Sequence, residues 1–323
     1  MQPALRPMST SQVLDRTFYV YRNHFPLLAG IGMLLPILLF VLRLAAFPLG
    51  YPPRGPALRD PFLFWTIFLE YLGAFILVYV IGHAITGGAT VYAVSRLHLG
   101  EPVTIAEAYR KTLPRFWSIL RIALNIYLRV AGVGILTIGA CLLLSFGADT
   151  FLDFIGVSSS TAAVTIGVIV VSLTALGGIF WMLYLYSKYC LSIPACVLEV
   201  LPARPALRRS RFLARGSLRR ISLIYLLMAV LGLVLSTVLW LPSQFYAAYV
   251  PHSLSVAILL RSIGSFMAGA LAGPIATIAI ALVYYDQRIR KEAFDLQIMM
   301  DSIAQPSPQQ TATAVDLPNG GAF

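Results

Sequence analysis

The sequence predicts an all-α polytopic membrane protein, with six transmembrane helices in three hairpins and cytoplasmic amphipathic helices leading into them. Three observations predict it. Of the 323 residues, 59% are hydrophobic and 11% charged, with mean hydropathy +0.81, whereas about a quarter of a soluble globular chain is charged. Six apolar runs are long enough to cross a bilayer, which takes a helix of roughly 20 residues. The basic residues are sorted as well: 19 of the 24 lysines and arginines flank one side of the runs, three lie on the other side and two fall inside runs. By the positive-inside rule this places both termini in the cytoplasm.

Residues 1–26 form a cytoplasmic amphipathic segment. Ser9 and Gln12 have capping-box spacing, after which Val13, Leu14, Thr17, Phe18, Tyr21 and Phe25 make one apolar face opposite Asp15, Arg16, Arg22 and Asn23. The membrane domain spans 27–300. Span 1 covers 27–47; it is longer than a signal peptide's apolar region of roughly 7 to 15 residues, so it is retained although Leu44-Ala45-Ala46 resembles a cleavage site. The turn-rich stretch PLGYPPRGPALRDP ends it. Span 2, about 62–94, is 33 residues long and must tilt or protrude.

A second amphipathic helix is expected at about 104–120, where Thr104 and Glu107 repeat the capping-box spacing. Span 3 (122–146), a short acidic connection with Asp149 and Asp153, and span 4 (161–186) follow. A third amphipathic helix at 205–221 leads into span 5 (222–241), a connection with Pro242 and Pro251, and span 6 (263–285). Residues 301–323, rich in Pro, Gln, Thr and Gly, read as a disordered tail. One unit thus recurs three times, with Asp15, Glu107 and Leu207 in corresponding places, an architectural repeat with little residue identity.

The third amphipathic helix is the most distinctive. Arg204, Arg208, Arg211, Arg215 and Arg219 step by four, three, four and four residues, which keeps all five on one face of a continuous helix. Leu207, Ala214, Leu218 and Ile221 lie opposite. Such a helix fits the headgroup layer, its arginines on lipid phosphates and its apolar residues in the acyl boundary. Net charge +11 therefore points to anionic lipid; nucleic acid is excluded because the basic residues alternate with apolar spans and no recognition motif accompanies them.

Ionisable residues inside spans are functional candidates, since burying them is costly. Arg43 and Glu70 both come out near the outer interface and could pair across the first hairpin. His83 stands ~20 Å above Arg96 at 1.5 Å per residue, on a face with Tyr79, Thr86 and Thr90; Asn125 and Arg129 share a face of span 3. If these faces meet, they enclose a polar cavity fit for an anionic headgroup or a proton relay; otherwise they make interhelical hydrogen bonds, with Arg129 reaching the interface. Glu199 pairs with an arginine of the following helix. Ser265, Gly269 and Gly273 form a small-residue ridge for close helix approach. Cys141, Cys190 and Cys196 make neither a disulfide framework nor a metal or redox signature; no cofactor, metal or catalytic constellation is expected.

Four stretches, QVLDRTFYVYRNHFPLL, LGEPVTIAEAYRKTLPRFW, YCLSIPACVLEVLPARPALRRSRFLARGS and YYDQRIRKEAFDLQIMM, together resemble the six-span bacterial membrane proteins grouped with the membrane domain of glycerophosphoryl diester phosphodiesterases. The most specific marks are Pro194 and Glu199 before Ala206-Leu207-Arg208-Arg209-Ser210 with Gly216, and Tyr285, Asp286, Arg288, Arg290, Glu292 and Asp295. The resemblance covers about Ser9 to Met300 and implies the fold and a bacterial inner-membrane location. It implies no phosphodiesterase activity, because the His-Arg-Gly start and Glu-x-Asp pair of the catalytic domain are absent from this chain. Two functions fit: a non-enzymatic membrane protein that contacts anionic lipid, and, as the alternative, a transporter or lipid-translocating protein built on a polar cavity around His83 and Arg129. A membrane protein partner is compatible with the first.

Overall fold

The computed structural model describes residues 8–46, 60–154, 161–250 and 254–292. Its elements are α1 (Thr10–Asn23), α2 (Phe25–Gly32), α3 (Leu34–Ala46), α4 (Pro61–His98), α5 (Ile105–Thr112), a 3-10 turn (Leu113–Arg115), α6 (Phe116–Phe154), α7 (Thr161–Tyr189), α8 (Ser192–Leu198), α9 (Ala203–Ala214), α10 (Leu218–Tyr249) and α11 (Leu254–Glu292). Among the described residues there is no strand. Five helices are long and apolar enough to cross a membrane, and six if the bent pair α2–α3 is one span. Residues 1–7, 47–59, 155–160, 251–253 and 293–323, including the tail expected to be disordered, lie outside the described residues.

Cap chemistry sets the first boundaries. Ser9 Oγ accepts from the Gln12 amide and the Gln12 side chain accepts from the Ser9 amide, a reciprocal cap that starts α1 and contributes about 1 kcal/mol. Asp60 accepts from the amides of Phe62 and Leu63 at the start of α4, where Pro61 costs nothing because a first-turn amide has no helical partner. Thr104 caps α5, while the Glu107 carboxylate turns away and accepts from the Tyr92 hydroxyl, so the second capping box is only half made.

Several expected elements are corrected. Span 1 is not one helix over 27–47 but two, bent by 40° between Gly32 and Leu34. Pro36 has no N–H for the Gly32 carbonyl, and the Tyr109 hydroxyl takes up the neighbouring Ile31 carbonyl at 2.6 Å. The amphipathic helix at 104–120 breaks at Pro114, whose 3-10 turn separates α5 from α6. The one at 205–221 ends at Ala214, because Gly216 adopts φ +80°, a left-handed conformation that glycine enters without Cβ strain. Helix α6 runs through Asp149 and Asp153, and α10 continues through Pro242. Short helix α8 has no counterpart in the sequence reading.

Helix α11 is the centre of the fold. Half of its most apolar stretch is buried in protein, against at most 17% for the other long helices. It packs along α10 and also meets α1, α2, α3 and α4; α3 lies on α4, and α6 on α7. Proline and glycine interlock where α11 crosses the bend: a Cβ at Gly32 would strike the Pro274 ring, and one at Gly269 would come within 3.0 Å of Pro36. The expected ridge is thereby revised. Gly269 is a contact, Gly273 has nothing within 4 Å of a Cβ, and a close backbone approach lies instead at Gly264, where a Cβ would strike the Leu239 carbonyl of α10.

Much of the apolar face of each amphipathic helix packs against protein, although Phe18 and Phe25 of the first face remain exposed. Val13, Thr17 and Val20 of α1, Ala108 and Thr112 of α5, and Ala206, Ser210, Leu213 and Ala214 of α9 are buried in the protein. Small residues at 206, 210 and 214 let α9 approach closely, and Ser210 donates to the Lys188 carbonyl at the end of α7. These helices close the basic end of the bundle. The long helices instead present Leu136, Leu143, Phe180 and Leu233 outward, 75%, 76%, 67% and 65% exposed. A belt of this kind needs a lipid solvent.

Candidate functional site

The segment from 202 to 221 divides its arginines by direction. Arg209 and Arg220 face inward and are half-buried; Arg204, Arg208, Arg211, Arg215 and Arg219 are exposed. Arg209 donates through Nε to both carboxylate oxygens of Glu199, at 3.0 and 2.8 Å, and through Nη2 to Glu292 at 2.6 Å. Tyr284 also donates to Glu199, and Arg288 lies 3.6 Å from it. Burial works against the Arg209 charge, but the hydrogen bonds and charges of Glu292 and Glu199 outweigh it and hold the proton more tightly than in an ordinary arginine. Val200, with φ +58°, makes the turn after Glu199 in a conformation that β-branched residues avoid.

A second network centres on Asp286, which is fully buried. Its carboxylate accepts from Arg220 Nη1 at 2.6 Å, Arg290 Nε at 2.9 Å and the Met8 amide at 2.7 Å; both arginines also donate to the Met8 carbonyl at 2.6 Å. The network joins the start of the described chain to α10 and α11. The sequence reading assigns neither Arg209 nor Arg220 to an inward-facing network, beyond expecting Glu199 to pair with some arginine of this helix. The available signal was that they stand off the four-three-four-four stripe and therefore point elsewhere.

The five exposed arginines have no acidic partner among the described residues. The break at Gly216 means that they do not share one helix face as expected. Even so, Arg208, Arg211 and Arg215 line one groove of about 530 Å³ with Lys188, Tyr184 and Phe212. The groove sits where α9 meets the end of α7, next to the outward-facing Trp181 and Phe180. Lys291 closes the end of α9 by donating to the Phe212 and Arg215 carbonyls at 2.7 and 2.6 Å, a favourable place for a cation at a helix C-terminus.

Inside the bundle lies a cavity of about 420 Å³. His83 lines it with Tyr79, Thr86, Thr90, Tyr127, Tyr186 and Tyr225. The His83 ring stacks on Tyr79 at 6.0 Å and meets the Tyr127 edge at 5.8 Å, while Tyr186 and Tyr225 stack at 4.1 Å. His83 Nδ1 is buried and has no hydrogen-bond partner among the described residues. The face expected from span 3 is corrected: Tyr127 and Val130 line the cavity, and Asn125 and Arg129 do not. Two residues along a helix is about 200°, so Asn125 and Arg129 point away from Tyr127. Arg129 is exposed, its guanidinium 4.7 Å from the Tyr189 ring centre, and Asn125 is half-buried.

No ion pair joins Arg43 to Glu70 among the described residues; Glu70 is exposed, and Arg43 lines the cavity. Among the described residues no group of three or more His, Cys, Asp and Glu side chains is placed to hold a metal ion. Comparison with models of known protein families, with curated proteins and with solved structures finds no match.

Proposed function

We propose that the chain is a non-enzymatic, multi-pass protein of a bacterial inner membrane, with six crossings in three hairpins and both termini cytoplasmic, whose basic end binds anionic lipid headgroups. The observation that carries this is the groove in which Lys188, Arg208, Arg211 and Arg215 converge, without acidic partners among the described residues, beside the lipid-facing wall of α7. A basic pocket at the membrane interface is the chemistry that holds phosphate heads. The rest of the segment supports it: Arg209 and Arg220 are engaged by acids, so the exposed arginines are those left to attract phosphate. The burial of the α9 apolar face against protein fixes the groove in place without reliance on insertion into the acyl layer.

Changing Arg208, Arg211 and Arg215 together to Gln should lower retention of cardiolipin or phosphatidylglycerol in native mass spectrometry by on the order of a hundredfold, at about 1 kcal/mol per basic residue. The spans should remain inserted. Unchanged lipid occupancy would assign these arginines to a protein partner in the membrane instead.

The orientation carries its own expected result. A membrane-impermeant thiol reagent applied from outside should modify single cysteines placed at Gly55, Ser158 or His252 and spare those at Ser9, Arg110, Arg211 or Asp301. Modification at Arg211 from outside would sink the topology.

The second reading, a transporter or lipid-translocating protein, is favoured by the cavity at His83. It retains His83 and loses Asn125 and Arg129.

A further inference from the structure

The central cavity is long. Its wall on α11 extends from Ser262 to Ile280, ~27 Å at 1.5 Å per residue. Most of its polar lining is already engaged: the hydroxyls of Thr86, Thr90, Ser262 and Ser265 each donate at 2.8 Å to the carbonyl four residues back in their own helix. What these walls chiefly offer is methyl groups and aromatic faces, with the tyrosine hydroxyls and the unpartnered His83 Nδ1 gathered in the aromatic belt. One full charge stands among them, Arg43, with no acidic partner among the described residues.

Contacts fix where that charge lies. Gly32 meets Pro274, Pro36 meets Gly269, and the Phe40 ring lies 5.8 Å from Phe266. Helix α3 therefore runs opposite to α11, and Arg43 comes level with Ser262 at one end of the cavity. His83, beside the Gly82 that touches Leu35, is about eight residues or ~12 Å further in.

We infer that the cavity binds a single-chain anionic amphiphile, its head on Arg43 and its hydrocarbon chain along α11 toward the aromatic belt around His83. A slot with largely apolar walls, threonine and serine hydroxyls that donate within their own helices, and one cation at its end matches one chain and one negative head, and its volume lies within the usual range for small-molecule sites. The site is at the opposite end of the bundle from Arg208, Arg211 and Arg215, so it goes beyond the headgroup groove.

The test uses the full chain in phosphatidylcholine nanodiscs, titrated with palmitate, lysophosphatidylglycerol and hexadecanol, with bound mass read by native mass spectrometry. At least one of the two anionic compounds should bind about tenfold or more tighter than hexadecanol, as a charge-assisted contact provides. Palmitate alone would identify a carboxylate head, and lysophosphatidylglycerol alone a phosphate. Arg43→Gln should erase the preference. Gly273→Leu should block all three ligands while leaving the elution profile unchanged, because Gly273 lines the cavity and a Cβ there meets no atom within 4 Å. Equal binding of hexadecanol and both anionic compounds, or a preference that survives Arg43→Gln, overturns the inference. So does displacement of the bound compound by diacyl phosphatidylglycerol at equal concentration. Should Gly273→Leu fail to fold, Arg43→Gln decides alone. The Arg208, Arg211 and Arg215 triple variant should bind as the native protein does, which separates this site from the groove.

Discussion

Asp286→Asn is expected to destabilise the protein by about 3 to 5 kcal/mol, the range for breaking a buried ion pair from one side. The substitution keeps the shape of the side chain, removes its charge and turns one of its two accepting oxygens into an NH2 donor. Asp286 is fully buried, and Arg220 is 21% exposed, so the guanidinium groups of Arg220 and Arg290 would face each other with no carboxylate between them. Domains are stable by only about 5 to 15 kcal/mol, so a large share of the folded protein should be lost on extraction. The readout is the thermal midpoint by size-exclusion after heating. Asp286→Asn combined with Arg220→Gln should recover part of the loss, because the double variant no longer strands that charge. A midpoint for Asp286→Asn equal to that of the native protein would show that Asp286 does not anchor the base of α10 and α11.

The residues most legible in the sequence were those whose signal is local. Ser9 and Gln12 form the cap that their spacing announces, and α4 follows the apolar run from 62 to 94 because nothing in that run interrupts a helix. Pro36 shows the limit of composition: it sits in an apolar run and leaves hydropathy unchanged, yet its missing N–H bends the span. The arginine spacing persists across Gly216, so the stripe hid a break that one left-handed residue makes. Amphipathicity records that a face is apolar and not what covers it. For α9 the clue was the size of Ala206, Ser210 and Ala214, which suits close protein packing better than acyl chains. The pairing of Glu199 with an arginine of the next helix is legible, though not that the arginine is Arg209; the cavity arises from side chains on different helices, and spacing within one segment does not contain it.

Gly264→Val should separate α10 from α11 and cost about 1 to 3 kcal/mol or more by overpacking. A Cβ at 264 would collide with the Leu239 carbonyl oxygen and come within 3.1 Å of its carbon and 3.4 Å of Trp240 Cδ1. The obstacle is backbone, so no rotamer change relieves it; the helices themselves must move apart. Movement there also pulls on the 3.0 Å hydrogen bond from Trp240 Nε1 to Ser265 Oγ and on Arg261, which lies 5.1 Å from the Trp240 ring centre. Gly139→Val is the matched control, since it makes the same change of helix propensity at a site where a Cβ meets nothing within 4 Å. Thermal midpoints in one detergent compare them directly. Gly264→Val should fall well below Gly139→Val, with Trp240 fluorescence altered only in the former, and equal midpoints would mean that the approach at Leu239 does not hold the two helices together.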